Sequence, residues 1–180
     1  MTRSTVESLS SAMTESAALI EKLINHCPDH LWTEKAGNWP IWQRLAHCCN
    51  SVNFFKLGQS LPLPDGLTLK VADLEVVGTS PLTKDALRDF FKAALTKLKT
   101  YLASLNDQDL AKDDPNICIQ SHDLKLLSDL FIVYGYFLYH LGGVDALLTS
   151  QGYESIFNFN FLSQYKSDNS VPRFMKEHHN

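Results

Sequence analysis

Apolar residues recur three and four apart along four stretches of the chain, and each recurrence predicts a helix with one buried face. In the first stretch Val6, Leu9, Met13, Ala17, Ile20 and Ile24 draw a single stripe over residues 4–26. Pro28 ends it, because proline disfavours the helical conformation of the residue before it. Gly37-Asn38 then marks a turn, and Pro40 opens the second helix, where its missing N–H has no intrahelical partner to lose. Ile41, Leu45, Cys48, Val52 and Phe55 form the core stripe of that helix. A neighbouring face with Gln43, His47, Asn50, Ser51 and Phe54 is half polar and compatible with a cleft.

Ser80-Pro81 or Thr83 caps the third helix, which carries Leu87, Phe90, Phe91, Ala94, Leu95, Leu98, Tyr101, Leu102 and Leu105. The fourth runs from about Asp123 to Ser150 and is apolar nearly all round, which predicts the most buried element. Gly142-Gly143 inside it costs about 1 kcal/mol per glycine relative to alanine, and predicts close approach of a neighbouring backbone.

Two connections are long. Residues 57–80 hold Leu61-Pro-Leu-Pro-Asp-Gly66 and a short alternating piece from Leu67 to Val77, a length that marks a functional or mobile segment. Asn106 to Ser121 is polar, and its Asp114-Pro-Asn116 is a turn. The pattern predicts an all-α protein, an antiparallel four-helix bundle with long crossover connections. One domain spans residues 1–180, with its core over 4–150 and a C-terminal extension over 151–180. The aromatic part of that extension, with Tyr153, Phe157, Phe159 and Phe161, is expected to pack across the bundle or against a second subunit. The last fifteen residues are polar and expected to fray, and His178-His179 makes no metal motif.

Composition narrows the function classes. With 180 residues, 44% hydrophobic and 20% charged, the chain is long enough to bury about 70% of its unfolded surface. Sixteen basic against 20 acidic residues give a net charge of −4, and Lys92, Lys97 and Lys99 form one solvated helix face, so no nucleic-acid partner is expected. No secretory leader is visible, and the apolar run from Leu130 to Leu141 is too short and too polar to span a bilayer. The reading is therefore cytoplasmic, with no membrane partner. Cys27, Cys48, Cys49 and Cys118 show no CxxC spacing and are expected to be reduced and mostly buried.

The candidate chemistry lies in two histidines. His47 stands in Trp39-Pro-Ile-Trp-Gln-Arg-Leu-Ala-His, and His140 in Tyr136-Phe-Leu-Tyr-His-Leu-Gly-Gly. One histidine on each of two facing helices can build half of a metal site in a bundle core, or the two are core histidines each hydrogen-bonded to a carbonyl or carboxylate. One turn before His140, on the same face, stands Tyr136. Other third ligands are poorly placed: His122 is about 27 Å from His140 along a helix axis, Asp145 falls on another face as a surface charge, and Cys48 belongs to the core stripe. Tyr134, Tyr136 and Tyr139, like Trp32, Trp39 and Trp42, serve either as packing or as the walls of a pocket. No nucleophile elbow, HExxH, phosphate-binding glycine loop or dinucleotide fingerprint is present.

These two histidine-bearing stretches, with the helix pattern, give a chain that resembles the DinB/YfiT-like superfamily over about residues 4–150. The resemblance implies an antiparallel four-helix bundle, commonly a homodimer. It also implies a divalent metal site of three histidines, one from the second helix and two, four residues apart, from the last. Some members are linked to thiol-dependent transferase or hydrolase chemistry. His47 matches the second-helix ligand and His140 the later of the pair, whereas Tyr136 stands at the earlier position and Gly143 where a glutamine often follows. The expectation is a degenerate metal-site bundle that binds a small-molecule ligand or a partner, with His47, Tyr136 and His140 lining the remnant pocket. The alternative is a zinc- or nickel-dependent hydrolase or thiol transferase that uses His47 and His140.

Overall fold

A computed structural model describes residues 3–57, 59–113 and 125–157. Cys118, His122, Asp114-Pro-Asn116, the first residues of the expected fourth helix, and the tail with Phe159, Phe161 and His178-His179 lie outside the described residues. The described chain is all-α, with helices α1 (Ser4–His26), α2 (Ile41–Phe54), α3 (Leu69–Ala72), α4 (Lys84–Ser104) and α5 (Leu126–Ser150). Its sheet is one two-stranded hairpin, β1 (Lys35–Ala36) against β2 (Trp39–Pro40).

α1 buries the whole expected stripe from Val6 to Ile24 and packs on α4 and α5. Its first turn lacks a local cap. Instead Asp107, beyond the end of α4, accepts from the backbone N–H groups of Thr5 (3.1 Å) and Val6 (3.0 Å), and so satisfies two orphan donors. α4 starts at Thr83, whose hydroxyl accepts from the Ala86 N–H at 3.2 Å, and it buries Leu87, Phe90, Phe91, Ala94, Leu98 and Leu102. Pro40 is the residue before α2 rather than part of its first turn, because it is extended and pairs with Lys35 in the hairpin. Gly37 closes that hairpin with φ +76°, a conformation that glycine adopts without a Cβ penalty.

The most buried helix is α2, not the last one. Every residue from Pro40 to Val52 is buried, although Gln43, Arg44, His47, Asn50 and Ser51 are among them. The long second connection explains how. It lies across the polar face of α2, and its alternating piece is not a strand but contains the one-turn α3. Gln43 donates to the carbonyls of Val71 (2.9 Å) and Val76 (2.7 Å) and accepts from the Gly78 N–H (2.9 Å). Asn50 donates to Asp73 at 2.8 Å, and Asn53 both donates to and accepts from Leu61. Gly78 lets the connection close down: a Cβ there would stand 2.5 Å from the Trp42 ring. The connection is thus pinned, and buried polar groups of α2 find partners there, as burial requires.

α5 buries Leu130, Val133, Phe137, Leu141, Val144 and Leu148 but leaves Phe131 56% and Tyr139 70% exposed. By length and composition alone it also suffices to cross a membrane, which the shorter run read from the sequence did not suggest. Asp145 is not a surface charge. It is buried, accepts from Ser155 Oγ and the Ile156 N–H (both 2.7 Å), and so ties the start of the C-terminal segment to the core, where Ile156 is buried.

Candidate site at the α2–α5 interface

Packing of α2 on α5 brings His47, Tyr136 and His140 into one cluster. Ring centroids lie 4.7 Å apart for His47 and His140, 4.5 Å for Tyr136 and His140, and 5.1 Å for His47 and Tyr136. Phe55 closes one side, edge-on to Tyr136 at 5.3 Å. Both imidazoles are buried, with 4% and 5% of their surface exposed.

The two histidines differ in their partners. His47 Nδ1 lies 2.6 Å from the carbonyl oxygen of Ala72 in α3. A carbonyl only accepts, so Nδ1 carries the proton and Nε2 is the acceptor. The Tyr136 hydroxyl donates to that Nε2. His140 Nδ1, by contrast, is buried with no hydrogen-bond partner among the described residues. Burial pushes the His47 imidazole down to about 4, with the Arg44 charge adding to the lowering and the Ala72 carbonyl opposing it. His140 is pushed down to about 3, by burial first and then by the charges of His47 and Arg44. Near pH 7 both rings are neutral.

Sequence reasoning missed Arg44. It is only 7% exposed, and its Nη1 donates to the Ala36 carbonyl of the hairpin at 2.6 Å. Its guanidinium carbon sits 5.7 Å from the centroid of the Tyr139 ring. Gly143 makes room for it, since a Cβ there would stand 2.2 Å from Nη1. So a guanidinium, not a backbone, approaches Gly143, and a Cβ at Gly142 would meet nothing within 4 Å. The signal was present in the spacing. Arg44 stands three residues before His47 and Gly143 three after His140, one turn along the same two faces.

Firm zinc or nickel binding takes at least three protein donors. This cluster offers two imidazoles and a phenol, and the phenol hydroxyl is spent on one of the imidazole nitrogens. The nearby guanidinium further opposes a second cation. Among the described residues no group of three or more His, Cys, Asp or Glu side chains is placed to hold a metal ion. The donor set does not complete a divalent site. Among the described residues the thiols are held protonated: burial pushes Cys48 up to about 12 and Cys27 up to about 11, and Cys49 also rises through burial.

Trp32 and Trp42 are packing residues. Trp32 donates its indole N–H to the Leu82 carbonyl at 2.7 Å, and Trp42 lies under the connection at Gly78. Trp39 is half-buried in the hairpin. A groove of about 690 Å³ lined by Leu61, Lys92, Lys97 and Tyr101 opens along α4 and does not touch the histidines. No family model, no curated protein and no solved structure matches this chain.

Proposed function

We propose that the chain is a DinB-like antiparallel four-helix bundle whose metal triad has degenerated, and that it works as a small-ligand binding or interaction module. The observation that carries this reading is the Tyr136 hydroxyl donating to His47 Nε2, the nitrogen a metal would need. The pairing of α1 and α2 with both α4 and α5 supports the bundle. In this reading His47, Tyr136 and His140 are the remnant of the metal site and would line the ligand's pocket. The protein acts in the cytoplasm as a homodimer, without nucleic acid or membrane. A monomer in light scattering at micromolar concentration would sink the dimer.

One observation favours a second reading. A histidine that gives Nδ1–H to a backbone carbonyl, as His47 does, is oriented in the way metal-ligating histidines usually are. In that reading His47 and His140 would be two ligands of a divalent ion whose remaining positions water would fill, and the ion would supply an activated nucleophile. Metal content of untagged protein by plasma mass spectrometry, with His47→Ala beside it, decides between them. Sub-stoichiometric metal that the substitution leaves unchanged is expected. About one ion per chain, lost in His47→Ala, would overturn the first reading in favour of the second.

A further inference from the structure

Arg44 is a buried cation without a carboxylate within ion-pair distance among the described residues. Its Nη1 is taken by Ala36, while its Nε is fully buried and has no hydrogen-bond partner among the described residues. A charge in that state is strongly unfavourable unless something pairs it. Deleting a Cβ at Gly143 to admit the guanidinium makes the arrangement a built one.

Arg44 also lies just under the surface. Gly37 of the hairpin turn is exposed, and a Cβ there would stand 3.6 Å from Nη1. Gly143, on the other side, is half-buried. The Tyr139 ring that lies over the guanidinium is 70% exposed, so on that side a surface side chain covers the charge.

We propose that Arg44 binds the carboxylate of a small organic acid, which enters past Tyr139. The proposal rests on the ligand-binding reading above and names the chemistry of that ligand. The Nε–Nη2 edge of a guanidinium matches a planar carboxylate with two parallel hydrogen bonds. A single guanidinium supplies one positive charge, which suits a monoanion better than a doubly charged phosphate. The exposed aromatic face of Tyr139 suits an apolar body attached to the acid.

The test is a titration of full-length protein, with its arginine side chains labelled with nitrogen-15, against benzoate and, separately, inorganic phosphate. Benzoate is expected to shift the Arg44 Nε–H resonance at millimolar concentrations or below, and phosphate to shift it far less. Arg44→Lys keeps the charge but loses the fork, and should weaken benzoate binding about tenfold or more. No shift with benzoate, a stronger response to phosphate, or unchanged affinity in Arg44→Lys would each overturn the proposal. So would an Arg44 Nε–H already bonded to an acidic side chain of this chain and unmoved by benzoate. The wild-type titration stands even if the variant fails to fold. Metal content on the same sample judges the metal-free reading independently.

Discussion

α2 and α5 meet at the same cluster, yet they reach burial by opposite means. α2 carries an arginine, a histidine, two asparagines and a glutamine, and still hides every residue from Pro40 to Val52. α5 has no charged side chain between Leu130 and Val144, and still exposes Phe131 and Tyr139. The difference lies in what covers them. Apolar surface tolerates water at a cost that scales with its area, whereas a buried amide or imidazole without a partner forfeits a hydrogen bond outright. α2 is therefore covered on its polar side by a connection that pairs Gln43, His47, Asn50 and Asn53 and leaves Arg44 to the hairpin. α5 needs only neighbours on one stripe, and its outer face is left to solvent or to another molecule.

The sharpest way to break this contrast is to truncate one large side chain on each helix. Trp42→Ala removes a 1%-exposed ring that packs under Gly78, and should destabilise the fold by about 3–5 kcal/mol in urea unfolding. Phe131→Ser, on the open face of α5, should stay within about 0.5 kcal/mol if that face is solvated. A large loss at Phe131 would mean that something covers it.

The next effect is pH. Folded His47 and His140 titrate at about 4 and about 3, below the ordinary histidine value of 6.5. The unfolded chain therefore binds more protons in that window, so stability is fully present above about pH 6.5 and is lost as pH falls through 4 toward 3. The loss should amount to a few kcal/mol, and it should shrink in His140→Gln. An identical pH profile in that variant would show that His140 is not held neutral by burial.

The smallest effect sharpens the comparison at adjacent glycines. Gly142→Ala should stabilise α5 by up to about 1 kcal/mol, because its Cβ meets open space and alanine favours helix. Gly143→Ala should destabilise despite the same propensity gain, because its Cβ displaces the guanidinium from the Ala36 carbonyl. Equal thermal shifts in the two variants would mean that Arg44 moves aside freely.

The helices were legible in the sequence because their stripes are regular. The stripe from Val6 to Ile24 is buried as the spacing predicts, and so is that from Leu87 to Leu102 except for the half-buried Leu95 and Tyr101. One-turn spacing put Tyr136 beside His140, but joining His47 to them came from the resemblance, since nothing local says which helix His47 will face. The burial order was misread, since hydrophobicity says what must be hidden and not what will be. Nothing local to Gln43, Asn50 or Asn53 announces that residues 61–78 will bond to them. Arg44 was passed over for the same reason: a lone arginine reads as surface until the space under Gly143 is known.

The cap on α1 has a consequence for how the protein is made. The acceptor for the Thr5 and Val6 N–H groups is Asp107, about a hundred residues downstream. While the chain is being synthesised, the leading end of α1 emerges well before the carboxylate that finishes it, a delay of about 5–20 s at ordinary elongation rates. Until then its first turn bonds only to water, and a chain stalled on the ribosome before Asp107 carries a first helix that frays from its leading end.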